Sequence, residues 1–169
     1  MPSSLLFSEL ADWLCFSGSR SSAIHHHDVR VAQHLIGSAQ GHTQEVCGLQ
    51  WSPDGKYLAS GGNDNVLNIW SNDMSESSQP LHSFNQHQAA VKALAWCPWQ
   101  PSLLASGGGT ADRCIKIWNC NSGVCLNSVD TKSQARGLLH CHYSTVVLVH
   151  RPGTECCSST SISPRYRVL

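Results

Sequence analysis

Charged side chains are scarce in this sequence. Asp, Glu, Lys and Arg make up 13% of its 169 residues, about half of the roughly 25% found in an average globular domain. Eleven acidic and eleven basic side chains cancel to a formal net charge of zero. With no excess of basic residues, the composition gives no electrostatic reason to expect nucleic acid or an anionic membrane surface as a partner.

A long apolar run is also absent. No segment approaches the roughly 18 consecutive apolar residues that a membrane-spanning helix requires. The first residues, MPSSLLFSELADWLCFSG, lack a basic segment and carry Glu9 and Asp12 within their apolar patch. That pattern argues against a signal peptide. We therefore expect no membrane partner.

Paired cysteines are missing as well. The nine cysteines are odd in number, and none of them forms a CxxC pair. Without a secretory signal, we expect reduced thiols in an intracellular protein rather than a framework of disulfides.

Two segments repeat the same residue types at matched spacing. The first is GHTQEVCGLQWSPDGKYLASGGNDNVLNIW (41–70), and the second is QHQAAVKALAWCPWQPSLLASGGGTADRCIKIW (86–118). Counted from His42 or His87, valine follows at +4, tryptophan at +9 and proline at +11, and both copies close on Trp. The two histidines lie 45 residues apart. This period is typical of a propeller blade of four antiparallel strands.

The repeat predicts an all-β protein that forms a partial WD-repeat β-propeller. We expect about two and a half four-stranded blades that do not close into a ring. Residues 41–85 and 86–130 would each form a complete blade, and residues 17–40 would be the end of an earlier one. Residues 1–16 would be an atypical leader. Residues 131–169 would begin the next blade and run into a tail that loses the pattern, although LLHCHYSTVVLVH could form a strand pair.

Three consecutive histidines, His25, His26 and His27, precede Asp28 in the run SAIHHHDVR. Imidazole and carboxylate groups are common zinc ligands. Successive side chains of a strand point to opposite faces, so His25 and His27 can share a face and His26 cannot. Three consecutive strand residues therefore cannot all bind one metal ion. A zinc site that combines His25 or His27 with ligands from elsewhere stays an open alternative, which a zinc titration would test.

The repeat gives the histidines another interpretation. When the Ser-Gly pair at 17–18 is aligned with the pair at 60–61, His27 falls on Trp70, the residue that closes the repeat. We predict that His27 and Asp28 close an earlier blade, and that His27 takes the hydrogen-bonding place of tryptophan. On this interpretation no metal and no cofactor are bound.

Three strings are more specific than a generic propeller repeat: IHHHDVR (24–30), GGNDN (61–65) and AWCPWQ (95–100). Over residues 17–134, the sequence closely resembles the Fizzy-type (cell-division-cycle protein twenty) activators of the anaphase-promoting complex. The Fizzy-related branch is similar over the same stretch.

The resemblance implies a binding module and not an enzyme. Family members capture destruction motifs, the D box and the KEN box, on protein substrates and deliver them to the ubiquitin ligase. The expected partners are subunits of the anaphase-promoting complex, substrates that carry these motifs and spindle-checkpoint proteins, in the nucleus and cytoplasm. A generic WD-repeat scaffold without destruction-motif binding is the alternative. A Ser-His-Asp hydrolase is disfavoured because the sequence lacks a G-x-S-x-G elbow.

The resemblance also implies two kinds of site. In WD-repeat proteins, the opening histidine, a strand serine, a turn aspartate and the closing tryptophan form a buried hydrogen-bonded tetrad. The expected members are His42, Ser60, Asp64 and Trp70, then His87, Ser106, Asp112 and Trp118. The candidate peptide-binding loop residues are Asn63, Asn65, Thr110 and Arg113. These four could instead only shape tight turns.

The sequence departs from the family at both ends. It shows no N-terminal arm and no Ile-Arg terminus, and the family pattern is lost after Gln134. A truncated isoform, a pseudogene product or a gene-model error, with a frame change near Ser133, would account for this. Open strand edges in an unclosed propeller also lead us to expect marginal stability or self-association.

Overall fold

A computed structural model describes residues 6–11, 14–18, 20–72, 79–132, 134–141, 144–150 and 158–162, with side-chain environments over 15–18, 20–72 and 79–132. These ranges contain fifteen β-strands in four antiparallel sheets. In the described part of the chain, no helix has the length and apolar character needed to cross a membrane.

Each sheet is a meander in which strands adjacent in sequence pair with one another. The first sheet contains β1 (Leu6–Ala11), β2 (Leu14–Gly18), β3 (Ala23–Asp28) and β4 (Leu35–Gln40). The second contains β5 (Val46–Trp51), β6 (Tyr57–Gly62), β7 (Leu67–Ser71) and β8 (His82–Phe84). The third contains β9 (Val91–Trp96), β10 (Leu103–Gly108), β11 (Cys114–Asn119) and β12 (Val124–Asp130). The fourth contains β13 (Gln134–Cys141), β14 (Ser144–His150) and β15 (Ser158–Ile162).

The sheets stand in an open row. The first strands pack against one another in chain order, β1 on β5, β5 on β9 and β9 on β13. Radial packing of successive meanders through their first strands is the arrangement of propeller blades. The predicted all-β class and unclosed WD-repeat sheets are confirmed.

The number of sheets differs from the expected two and a half blades. Residues 1–16 were expected to be a leader, yet β1 and β2 pair and complete the first sheet. The tail also continues, since β13 pairs with β14 and β14 with β15. Neither segment carries the histidine and tryptophan anchors of the repeat. Strand pairing needs only backbone hydrogen bonds and so can extend beyond a side-chain motif.

Apolar side chains join neighbouring sheets. Phe16 and Ile24 of the first sheet pack with Val46, Trp51 and Trp70 of the second. A second cluster joins the second and third sheets and contains Ala59, Leu67, Ile69, Phe84, Val91, Leu94, Trp96, Leu104, Trp118 and Cys120. The main core therefore lies between the sheets, as expected for strands that must bury both faces.

Two glycines, each next to a serine in the second strand of its sheet, let the sheets approach closely. A Cβ atom at Gly18 would lie 2.7 Å from Cγ1 of Val46, the first residue of β5. A Cβ atom at Gly61 would collide with the backbone oxygen of Val91, the first residue of β9. The same Gly-to-Val contact thus occurs between the first and second sheets and between the second and third, where it sets how closely the inner strand approaches the previous sheet.

We expect Gly61→Ala to lower the free energy of unfolding by about 1–3 kcal/mol, because a backbone oxygen cannot move away as a flexible side chain would. Gly37→Ala is the matched control, since its Cβ would meet only His26 Nδ1, at 3.5 Å. Urea unfolding followed by tryptophan fluorescence measures both. Equal losses in the two variants would contradict the close-approach role of Gly61.

Candidate functional site

Four side chains of the second sheet form one buried hydrogen-bond chain. The indole Nε1–H of Trp70 donates to Ser60 Oγ at 2.8 Å, and Ser60 Oγ lies 2.8 Å from His42 Nε2. His42 Nδ1 lies 3.1 and 3.2 Å from the two carboxylate oxygens of Asp64. The members come from the loop before β5, from β6, from the β6–β7 turn and from β7. The tetrad therefore connects two strands and two loops.

The third sheet repeats this chain in the same order. Trp118 Nε1–H donates to Ser106 Oγ at 2.7 Å, and Ser106 Oγ lies 2.7 Å from His87 Nε2. His87 Nδ1 lies 2.6 Å from Asp112 Oδ2. The structure thus brings together all eight side chains that the WD-repeat pattern placed in two tetrads.

Proton positions follow from the chemistry of each partner. An ionised carboxylate only accepts, so His Nδ1–H must donate to it and His Nε2 is left to accept from the serine hydroxyl. The serine oxygen then accepts the indole N–H. Burial acts to raise the pKa of Asp64, but the backbone N–H of Thr43 and the ring of His42 outweigh it and hold that pKa below its usual value. Burial lowers the pKa of His87 more than Asp112 raises it.

The tetrads fix the loops at one end of the sheets. Asp64 also accepts the backbone N–H of Thr43 at 2.8 Å, which joins the loop before β5 to the β6–β7 turn. In the same turn, the backbone N–H of Asn63 donates to Glu45 O, and its side-chain Nδ2 donates to Gln44 Oε1 at 3.1 Å. In the third sheet, Gln88 N–H donates to Asp112 Oδ1 at 3.1 Å.

The four candidate loop residues all lie at this end. Asn63, Thr110 and Arg113 are exposed, and Asn65 is half-buried. Asn65 and Arg113 occupy equivalent turn positions and have left-handed backbones, with φ of 67° and 54°. Asparagine adopts this conformation readily, whereas for arginine it costs roughly 1–2 kcal/mol. The turn-shaping interpretation therefore applies to Asn65 and Arg113, and both side chains remain at the surface of a rigid turn.

The first sheet contains a shorter version of the tetrad. His27 Nε2 lies 2.8 Å from Ser17 Oγ, in the place where Trp70 contacts Ser60. Asp28 sits just beyond it, at the end of β3. There it accepts two hydrogen bonds from the Arg30 guanidinium, at 2.9 and 2.7 Å. Those bonds lower the pKa of Asp28 to about 2.

The histidine run does not converge on one point. The rings of His25 and His27 are 6.3 Å apart, and His26 points to the other face, where its ring lies 4.7 Å from that of Phe16. Within the described residues, no group of three His, Cys, Asp or Glu side chains is arranged to hold a metal ion.

Asn68 belongs to the second-sheet network but was not foreseen. Its Nδ2 donates to Gly41 O at 2.9 Å and lies 3.3 Å from His42 Nε2. The equivalent residue of the third sheet is Lys116, whose Nζ donates to Ser128 Oγ at 3.0 Å. Because the two copies differ at this position, a search for repeated residues could not find it.

We expect Asp64→Ala to lower the free energy of unfolding by about 2–4 kcal/mol, since it leaves the His42 ring and the Thr43 N–H without their acceptor. Asp54→Ala is the matched control. Asp54 accepts from Ser52 Oγ at 2.7 Å in an exposed turn, and its loss should cost about 1 kcal/mol or less. Thermal melting of both variants checks this, and similar shifts in Tm would refute a special role for the tetrad.

This chain is similar to known WD-repeat proteins. The family model "WD domain, G-beta repeat" matches residues 33–71 and 78–119. "Anaphase-promoting complex subunit cdc20" of Dictyostelium discoideum is 58% identical over 123 residues, which are 73% of this chain and 25% of that protein. "Cell division cycle 20.6, cofactor of APC complex" of Arabidopsis thaliana is 54% identical over 126 residues, 73% of this chain and 29% of that protein.

A solved structure agrees with these relatives. A chain in "Crystal Structure of Mitotic Checkpoint Complex" superposes with a TM-score of 0.81 at 50% identity, covering 87% of this chain and 44% of that chain. This chain spans only about a quarter of the length of the curated relatives. The matched residues include both tetrads and the histidine-tryptophan repeat, and the chain belongs to the Cdc20/Fizzy family of WD-repeat proteins.

Proposed function

We propose that this chain is part of an activator of the anaphase-promoting complex and serves as a substrate-recognition module, not as an enzyme. The observation that carries the proposal is the level of identity, 58% and 54%, to relatives named as a subunit and a cofactor of that complex. The 50% identical chain in a mitotic checkpoint complex supports spindle-checkpoint proteins as further partners. Because this chain covers a quarter of those relatives, the role of the whole protein is inferred from a part.

Burial of the tetrads supports a binding role. Ser60, His42 and Asp64 have the composition of a hydrolytic triad, but Ser60 is 0% exposed and its oxygen already serves both the Trp70 indole and the His42 ring. A nucleophile must reach its substrate with a free oxygen. These residues therefore stabilise the fold and leave the surface loops as the functional part.

The loops at the tetrad end are the proposed peptide-binding surface. Asn63, Thr110 and Arg113 present amide, hydroxyl and guanidinium groups on turns held in place by the tetrads. A rigid turn loses little conformational entropy on binding. An exposed guanidinium suits the glutamate of a KEN box, because it can form paired hydrogen bonds with a carboxylate. We extend the proposal to destruction-motif recognition on this basis.

Fluorescence anisotropy with labelled KEN-box and D-box peptides tests the proposal. We expect Asn63→Ala and Arg113→Ala each to weaken KEN-box binding about tenfold, the effect of losing one charged or buried hydrogen bond. Lys56→Ala is the matched control, because Lys56 is exposed in the β5–β6 turn at the opposite end of the sheets. A folded chain that binds neither peptide would instead support a generic WD-repeat scaffold.

A further inference from the structure

Strand β3 has histidines at three positions where β7 of the second sheet has residues that do not titrate near neutral pH. Cys15 pairs with His27 in the first sheet as Leu58 pairs with Trp70 in the second. By this register, the sequence His25-His26-His27 occupies the positions of Asn68-Ile69-Trp70. An amide, an alkyl group and an indole hold no extra proton near neutral pH, whereas imidazoles titrate near pH 6.5. The first sheet therefore carries a strip of three imidazoles, His25 to His27, that can bind protons, and β7 of the second sheet has no such strip.

His27 has a hydrogen-bond partner for only one of its nitrogens. Nε2 lies 2.8 Å from Ser17 Oγ, while Nδ1 is buried and makes no hydrogen bond. The Trp70 indole has one N–H, which Ser60 satisfies at any pH. Protonated His27 would carry two N–H donors, and the second would be buried without an acceptor. Leaving a buried charged donor unpaired is costly, so the fold favours neutral His27.

His26 is enclosed more tightly than His27. It is 6% exposed, and its buried Nε2 makes no hydrogen bond. The centroid of its ring lies 4.7 Å from that of the Phe16 ring. The Phe16 ring in turn packs on Trp51 of β5, with 4.9 Å between the ring centroids, so this side of β3 faces an apolar interface. Burial, followed by the neighbouring His25 and His27, lowers the pKa of His26 to about 4.

The side chains that the structure describes around β3 offer little negative charge to balance a proton. The His34 ring lies 5.2 Å from His27, and the cross-strand partners of the three histidines on β4 are Ser38, Gly37 and Leu35. On the other side, β2 places Cys15 opposite His27, and Glu9 of β1 is the register partner of Cys15. Asp28 is already bound by Arg30. In the tetrads, by contrast, His42 and His87 each contact a carboxylate directly.

We propose that the β3 histidines form a proton-sensitive element that loosens the first sheet at acidic pH while the second and third sheets stay closed. Folding holds the His26 and His27 imidazoles neutral, and in the opened strand they titrate near pH 6.5. The opened form thus binds more protons, so the sheet is fully stable above about pH 6.5 and loses stability as the pH falls toward about 4. Local opening of one sheet is the expected response, because its neighbours lack the strip.

Hydrogen exchange by strand tests the proposal on the full chain. We expect the protection of β3 and β4 amides, corrected for intrinsic exchange, to fall at least about tenfold relative to β7 between about pH 7.5 and about pH 5. The triple variant His25→Asn, His26→Ile, His27→Trp copies the β7 residues into β3 and should keep that ratio constant. His82→Gln, which removes a half-buried imidazole in β8, is the control and should retain the wild-type loss.

Either of two results overturns the proposal: an equal loss of protection in the triple variant, or no loss in the wild type. If the triple variant does not fold, NMR titration of the wild-type imidazole ring protons decides. Titration of His26 below about pH 5 supports the proposal, and titration near the ordinary value of about 6.5 overturns it.

Discussion

A buried serine hydroxyl that is shared between an indole and an imidazole organises the second and the third sheet. Ser60 and Ser106 are both fully buried, and each accepts from a tryptophan and donates to a histidine whose other nitrogen faces a carboxylate. A buried polar group without a partner costs about 1–3 kcal/mol, so such a chain is stabilising only when every member is present. This all-or-none requirement explains why four residue types recur together at fixed spacing.

The same chain of hydrogen bonds connects the buried tetrad to the surface loops. Asp64 and Asp112 accept backbone N–H groups from the loops that follow His42 and His87. The buried tetrads and the loops at this end of the sheets are therefore parts of one hydrogen-bond network. The first sheet keeps only the Ser17–His27 portion of this network. There the indole is replaced by the His27 imidazole, whose pKa burial holds below its usual value.

The sequence was most informative where residues repeat. The WD-repeat resemblance predicted both tetrads, and the matched offsets predicted the four-stranded sheets and the alignment of His27 with Trp70. Features that do not repeat were missed: Asn68 has no copy in the third sheet, and β1 and β2 form a sheet by backbone pairing without the anchor residues. The close approach of Gly61 to Val91 also depends on how neighbouring sheets pack, which spacing along the chain does not reveal. The loop residues lie on the surface, where packing does not select side chains, so the repeat pattern alone does not assign them a role.

The tautomer of His42 and His87 is the most direct test of this account. Nitrogen-15 NMR of the imidazoles at neutral pH distinguishes a proton on Nδ1 from one on Nε2. We predict neutral rings protonated at Nδ1 with slow solvent exchange, because the carboxylate accepts there and the serine hydroxyl donates to Nε2. Protonation at Nε2, or a doubly protonated ring at neutral pH, would contradict the shared-hydroxyl arrangement and with it the connection between core and loops.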